Sequence, residues 1–210
     1  MTSALLEPPV RRPAAPPRGV PETIGPRHAG MRMTGEEWEA HEDWDRAYRY
    51  ELYDGVLVVC PAPGCGETSP NDELGRLLRN YIVLKPDGPA KLTLPERYIR
   101  IDADNRRRCD RAVWCGEFPQ KPDEVPPTVA IEIVSASARD RRRDYVTKRA
   151  EYLSVGVREY WVIDRHARTI TKFDAAGETV YDEAATVASD HLPGFELPVT
   201  AMTTAADLFE

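Results

Sequence analysis

The sequence predicts a single α/β domain built on a mixed central β-sheet that is flanked by helices. Two observations lead to this prediction. Helical and strand-like patterns alternate over residues 31–210 without an internal repeat. The segment 128–134 (TVAIEIV) is almost continuously apolar, as is typical of a strand that is covered on both faces.

The composition bounds the class of protein. The chain has 210 residues, 41% of them hydrophobic, which is enough for one domain with a substantial core. The longest apolar stretches, such as Val56–Cys60, are too short to span a bilayer, and no secretory signal is recognisable. We therefore expect a cytoplasmic protein with reduced cysteines. The loose spacing of its four cysteines disfavours a structural zinc site, which remains an alternative.

Residues 1–30 are rich in Pro, Ala and Arg and show no apolar periodicity. Such a segment buries too little surface to offset the entropy of ordering it, so we predict a disordered arm. Order is expected to begin near Thr34, where Thr34 and Glu37 have the spacing of a capping box at the start of a short helix.

Local patterns define the remaining elements. Two β-rich runs flank Asp54-Gly55, which is a strong hairpin signal. Apolar residues on one stripe predict a helix over 71–84, and a second helix over 140–155 would end at Gly156. Further strands are predicted at 91–101, 110–115, 128–134, 158–164, 169–173 and 178–182.

Glu132 is the anomalous residue of this pattern, because it lies between Ile131 and Ile133 in the most apolar strand. An unpaired carboxylate there would be costly, so Glu132 needs a cation, a metal ion or a proton. The alternative to a metal ligand is a buried ion pair with an arginine such as Arg100 or Arg111.

Further charged residues lie close to Glu132 in the predicted fold. Asp110 opens a neighbouring strand, Glu51 lies in the first hairpin, and the next helix carries Asp144 and Lys148 one turn apart. Carboxylates bind Mg²⁺ or Mn²⁺, which neutralises a phosphate and acidifies a bound water, while a lysine stabilises the developing charge. The alternative for Lys148 is an ion pair with Asp144 on an exposed helix face.

The net charge of −7 argues against a protein that coats nucleic acid by bulk attraction. Residues 97–149 nevertheless carry 13 basic and 9 acidic side chains. The arginine runs 106–108 and 139–143 flank the predicted site, and the alternative for both is solvated surface. Phosphate contacts are expected from four of these residues: Arg106, Arg108, Arg139 and Arg142.

Several stretches of the sequence resemble the Uma-two family of restriction endonucleases. They are 50–55 (YELYDG), 130–135 (AIEIVS), 152–164 (YLSVGVREYWVID) and 192–195 (LPGF). The resemblance extends over residues 31–210. It implies the restriction-endonuclease-like fold of the PD-(D/E)XK nuclease superfamily, a mixed sheet that carries a metal site.

The resemblance also implies roles for individual residues. Asp110 corresponds to the aspartate of the PD motif and Glu132 to the second acid, and both would be catalytic metal ligands. Lys148 corresponds to the catalytic lysine, moved from the strand to the helix. Glu51 and the backbone carbonyl of Ile133 would complete the metal site.

The sequence departs from the family pattern next to both acids. Cys109 stands where the family has a proline before the aspartate, and Val134 stands where the superfamily has a lysine on the strand. The lysine role therefore depends on Lys148.

These observations predict a Mg²⁺- or Mn²⁺-dependent endonuclease that hydrolyses phosphodiester bonds in nucleic acid, with DNA as the expected substrate. Duplex cleavage needs two active sites or two successive events, and a homodimer would provide the two sites. The alternative is a catalytically inactive module that binds nucleic acid or a protein partner on the same fold.

Overall fold

The computed structural model describes residues 19–134 and 141–208. The first 18 residues of the predicted arm, and Arg139, lie outside the described residues. Ten strands are described: β1 (Tyr48–Tyr53), β2 (Val56–Pro61), β3 (Ala90–Arg100), β4 (Arg106–Cys115), β5 (Val129–Ile133), β6 (Glu159–Asp164), β7 (Thr169–Asp174), β8 (Gly177–Tyr181), β9 (Thr186–Ala188) and β10 (Glu196–Pro198).

Four α-helices lie in the same ranges: α1 (Gly35–Ala40), α2 (Cys65–Leu84), α3 (Arg149–Ser154) and α4 (Val199–Asp207). A π-helical segment, Arg143–Lys148, leads directly into α3. Short 3₁₀ turns occur at Pro26–His28 and Pro122–Glu124. Within these ranges, no helix combines the length and the apolar character needed to cross a membrane.

Strands β1 to β8 form one mixed sheet, which confirms the predicted fold class. The strand order is β2-β1-β4-β5-β6-β7-β8, and β3 pairs with β4 outside this path. Strands β5 and β6 are parallel, whereas β4 and β5 are antiparallel. Strands β9 and β10 form a separate antiparallel pair.

The two faces of the sheet pack against different helices. Ile131 of β5 lies in a cluster with Leu74 of α2 and Met202 of α4. Ala130 lies in a second cluster, which includes Tyr152 of α3. Because side chains alternate along a strand, Glu132 shares the face of Ala130 and points toward α3.

Strand β4 has an interruption in its pairing that positions the site. One of its edges pairs with β3, and the other pairs with β1 at Arg106 and with β5 from Arg111 to Val113. Between these two stretches, side chains from other elements bond the backbone of Arg108 and Asp110. We call this part of the edge, residues 108–110, the β4 opening.

Two local predictions at the start of the domain are confirmed. The Thr34 hydroxyl accepts a hydrogen bond from the amide of Glu37, and the Glu37 carboxylate accepts one from the amide of Thr34. Asp54 and Gly55 have φ angles of 47° and 71°, so both lie in the left-handed region that a two-residue type I′ hairpin turn requires.

The structure corrects the inner part of the predicted arm. Ile24 is fully buried in a cluster with aromatic residues, and it forms a parallel β-bridge with Trp44. Residues 19–30 therefore pack on the domain. A single isoleucine among prolines and glycines gives no periodic signal, because its partners lie about twenty residues further along the chain.

Helix boundaries differ from the prediction in two places. Helix α2 begins at Cys65, ahead of the predicted start at residue 71, and it accommodates Pro70. The helix after β5 contains the π-helical segment, which the apolar pattern did not reveal. Strands β9 and β10 and helix α4 were not predicted, because they are short or weakly patterned.

Candidate active site

A cavity of about 390 Å³ lies at the β4 opening and is lined by residues from six parts of the chain. We call it the carboxylate cavity. Its lining contains every candidate catalytic and metal-binding residue: Glu51, Asp110, Glu132, Ile133 and Lys148. Asp144 lines the same cavity.

Three strands and the π-helical segment bring these residues together. The last pair of the antiparallel β4–β5 ladder is Arg111 and Ile131. Asp110 precedes Arg111 and Glu132 follows Ile131, so the two acids lie side by side on one face. Glu51 comes from β1. The π-helical segment supplies Lys148, and such segments are frequently found at functional sites.

Glu132 is 4% exposed and accepts two hydrogen bonds on one oxygen. Lys148 Nζ lies 2.9 Å from Glu132 Oε1, and the hydroxyl of Tyr152 donates to the same oxygen at 2.9 Å. The two donors come from the same helical stretch, one turn apart. They fix the direction in which the Glu132 carboxylate points.

The alternative of an arginine partner for Glu132 does not hold. Arg100 lies near Glu39, at 3.7 Å. Arg111 packs beneath α2, where its guanidinium donates to the side chain and the backbone carbonyl of Asn71. The cation beside Glu132 is the ammonium of Lys148.

Lys148 is 2% exposed, and its ammonium lies close to three oxygen atoms. They belong to the carboxylates of Glu132 at 2.9 Å and Glu51 at 3.0 Å, and the backbone carbonyl of Arg108 at 2.7 Å. An ammonium has three donors, which matches the three oxygens around it. The alternative of an exposed pair with Asp144 fails, because Asp144 is buried as well.

Asp110 is tied to the sheet through its carboxylate and its backbone. Asp110 Oδ2 accepts the amide of Ile133 at 2.7 Å, which continues the β4–β5 ladder through a side chain. The side chain of Asn71 in α2 donates to the carbonyl of Asp110 at 2.9 Å. The residue is therefore positioned by both β5 and α2.

The crowding of acids in this cavity perturbs their ionisation. Burial raises the pKa of Glu132 well above its ordinary value; Lys148 opposes this, and Asp110 adds to it. Burial likewise raises the pKa of Asp110. Burial would lower the pKa of Lys148, but Glu132 and Glu51 are the main groups that raise it well above its usual value.

Glu51 behaves differently from the other two acids. Burial would raise its pKa, but Lys148, Arg143 and the amide of Arg108 together lower it. Its Oε1 accepts from that amide at 2.9 Å. Its Oε2 is buried and has no hydrogen-bond partner among the residues that the structure describes.

The donor chemistry of the cavity fits a divalent cation. Six acidic and four basic side chains line it, which leaves an excess of negative charge in a buried place. In the described ranges, no three His, Cys, Asp or Glu side chains are close enough to form a ready metal cluster. Mg²⁺ commonly takes one or two carboxylates and keeps several waters, so the pair Asp110 and Glu132 suits it. The buried Glu51 oxygen without a hydrogen-bond partner adds a further acceptor to the cavity.

The four candidate phosphate-binding arginines have different environments. Arg108 lines the carboxylate cavity and forms an ion pair with Glu96. Arg106 does not fit the prediction, because it is buried and its guanidinium is bound by Glu39 and by backbone carbonyls. Arg142 is exposed, and its role stays a prediction.

Sequence reasoning missed three charged residues that line the cavity: Arg49, Glu67 and Glu96. Arg143 also lines it and lies in the arginine run that was predicted to flank the site. A signal existed for Arg49, which lies two residues before Glu51 on β1 and therefore on the same face of the strand. Glu96 gave no such signal, since its pairing with Arg49 and Arg108 depends on strand register.

The fold defines the class to which this chain belongs. It is similar to the solved structure of a protein from Anabaena variabilis described as a "putative nuclease belonging to DUF820", with a TM-score of 0.68. The two sequences are 16% identical, and the similarity covers 83% of this chain and 99% of that chain. The chain therefore has the mixed-sheet α/β fold of that nuclease-like protein.

The family follows from the sequence. The profile of the Uma2 family, described as "Putative restriction endonuclease", matches residues 38–200. The chain belongs to the Uma2 family, as its motifs predicted. No curated protein matches the sequence significantly.

Proposed function

We propose that this protein is a Mg²⁺- or Mn²⁺-dependent endonuclease that hydrolyses phosphodiester bonds in DNA. The observation that carries the proposal is the convergence of Asp110, Glu132 and Lys148 on one cavity with an excess of acidic side chains. The family description and the nuclease-like fold support it.

Each residue has a defined task in this proposal. Asp110 and Glu132 hold the metal, together with Glu51 and the carbonyl of Ile133. The bound metal supplies charge neutralisation at the phosphate and a water of lowered pKa. The ammonium of Lys148 stabilises the negative charge that develops on the phosphate as water attacks.

The neighbours of these groups keep them in place. The Tyr152 hydroxyl holds Glu132, and the carbonyl of Arg108 holds Lys148, so neither side chain must reorganise far to act. Arg108 and Arg49 line the cavity and are positioned to contact phosphates that flank the scissile bond. A preorganised set of charges costs little at the moment of reaction.

One observation favours the alternative, an inactive binding module. Lys148 already neutralises part of the charge on Glu132 and Glu51, so these residues also make sense as a structural ion-pair network. A purely structural network predicts that metal ions leave stability unchanged and that nucleic-acid binding does not depend on Asp110.

Cleavage assays test the proposal. The full-length chain is incubated with supercoiled plasmid and with labelled oligonucleotides in Mg²⁺, Mn²⁺ or EDTA. We expect metal-dependent cleavage that falls by about 10²- to 10³-fold in Asp110→Asn and Glu132→Gln. Lys121→Ala, in an exposed ion pair with Glu124, is the matched control and retains full activity. Equal rates in wild type and Asp110→Asn would overturn the proposal.

Thermal unfolding with metal gives an independent readout. At a Mn²⁺ concentration 100 times its Kd, binding to the folded state adds about 2.7 kcal/mol of stability. We expect this gain in the wild type and its loss in Glu132→Ala. The inactive alternative predicts the same melting temperature with and without Mn²⁺ in both proteins.

A further inference from the structure

A second cavity, of about 260 Å³, lies beside the carboxylate cavity. We call it the aromatic pocket. Five aromatic side chains line it: Trp38, Trp44, Tyr48, Tyr50 and Tyr98. Three polar residues complete the lining: Asp45, Arg46 and Arg49.

The rings of the aromatic pocket form a fixed frame. Trp44 packs against Trp38 with ring centroids 4.5 Å apart, and against Tyr50 at 4.8 Å. Tyr98 meets Trp38 edge to face at 5.4 Å. Trp44, Tyr48 and Tyr98 are only partly buried, so their remaining surface is open to a ligand. The volume suits one planar ring system, because it lies below the range of pockets that hold drug-sized ligands.

The aromatic pocket adjoins the carboxylate cavity at one shared residue, Arg49. Arg49 lines both cavities, and its Nε lies 2.9 Å from Glu96, which lines the carboxylate cavity. Arg108, another residue of that cavity, packs over the ring of Tyr98 at 5.8 Å. The two cavities therefore meet at Arg49 and Tyr98.

The polar residues of the pocket match a nucleotide. Arg46 is exposed, and no hydrogen bond or ion pair engages its guanidinium within the described ranges. Asp45 Oδ1 accepts the amide of Ala47 at 3.0 Å. Its other carboxylate oxygen is available to accept a hydrogen bond from a base, while Arg46 and Arg49 suit the neighbouring phosphates.

We propose that the aromatic pocket binds one unpaired base of the substrate strand, next to the phosphate that lies in the carboxylate cavity. The inference rests on the proposed function and sharpens it, because it makes single-stranded nucleic acid the preferred substrate. Every base has a π-face that stacks on Trp or Tyr, whereas a base inside a duplex must first be unstacked and unpaired.

Equilibrium binding tests the pocket without requiring cleavage. A labelled single strand of about 12 nucleotides, long enough to cross both cavities, is titrated with the full-length chain in EDTA. The same sequence as a duplex is titrated in parallel. We expect the single strand to bind more tightly than the duplex and to quench tryptophan fluorescence.

The variants are chosen so that loss of stacking is separable from loss of fold. Trp44→Ala is expected to weaken single-strand binding about tenfold or more, because it removes a ring on which the base stacks. Trp44→Phe restores most of the affinity. Phe118→Ala, at an aromatic residue that is 56% exposed and lines neither cavity, is the control and binds as the wild type does. If Trp44→Ala does not fold, Arg46→Glu at the exposed rim is expected to weaken binding.

The outcomes separate this inference from the proposed function. If Trp44→Ala, or in its place Arg46→Glu, binds the single strand as tightly as the wild type, the pocket is not a base site, whatever the cleavage assays give. If Trp44→Ala loses binding while the wild type cleaves nothing in Mn²⁺, the base site stands and the nuclease proposal fails. The inference would also be overturned if a proline-rich peptide, such as residues 9–18, bound tightly and the single strand did not compete with it.

Discussion

Strand β5 presents two faces whose adjacent residues are equally buried and chemically opposite. Ile131 is 0% exposed and packs among apolar side chains under α2 and α4. Glu132 is 4% exposed and lies on the other face against Lys148 and Tyr152. Burial of the isoleucine contributes about 1.5–3 kcal/mol to stability, whereas burial of the carboxylate costs free energy that its partners must offset.

The difference separates the part of the sheet that maintains the fold from the part that is poised for chemistry. On the apolar face, stability depends only on the shape and volume of the packed side chains. On the charged face, burial raises the pKa of Glu132 and Asp110, and Lys148 opposes this effect. Perturbed acids of this kind concentrate at functional sites.

Removal of the buried cation from the charged face is expected to have the largest effect on stability. Lys148→Ala leaves Glu132 and Glu51 buried without their partner, and we expect the free energy of unfolding to fall by about 3–5 kcal/mol. Urea denaturation measures it. Lys121→Ala, which removes an exposed lysine, is expected to change stability by less than about 0.5 kcal/mol. If Lys148→Ala changes stability as little as Lys121→Ala, the buried charges contribute little to stability.

Truncation on the apolar face gives the next largest effect. Ile131→Ala removes a fully buried side chain, so we expect a loss of about 2–4 kcal/mol in the same urea experiment. Val180→Ala, at a residue that is 58% exposed on β8, is the matched control and stays near wild type. The Mn²⁺-induced stabilisation persists in Ile131→Ala, since the charged face is left intact. Loss of that stabilisation would show that the two faces are not independent.

Neutralisation of one acid is expected to raise the free energy of unfolding. The change is smaller than the losses expected for the two variants above. Burial raises the pKa of Asp110, so its ionised form costs stability above that pKa. Asp110→Asn keeps an acceptor for the amide of Ile133 and is expected to gain about 1 kcal/mol at pH 7 while losing activity. The gain disappears as the pH falls through the raised pKa and below the ordinary value of 3.8, where the wild-type acid is protonated as well. If the gain in stability does not change with pH, it results from packing and not from the ionisation of Asp110.

The sequence predicted features that depend on near neighbours along the chain. The capping box at Thr34 and the hairpin turn at Asp54-Gly55 need only a few adjacent residues, and both form as expected. Glu132 was recognisable as anomalous because its neighbours in the strand are apolar. The family motifs are local as well.

Features that depend on register were not predictable. Arg106 and Arg108 are two residues apart in one basic run, yet Arg106 is buried against Glu39 and Arg108 lines the carboxylate cavity. Ile24 is core, although it lies in a segment that reads as an arm. In each case, residues distant in sequence decide the environment.

The sequence by itself determined the fold class and the family, and it marked Glu132 as a carboxylate in need of a partner. Only the tertiary structure decided that this partner is Lys148, and that Glu51 and Asp110 meet it at the β4 opening. Local patterns fix the period and type of an element because they act between near neighbours. The contacts between buried charges depend on how distant strands and helices align, and a short sequence pattern contains no information on that alignment.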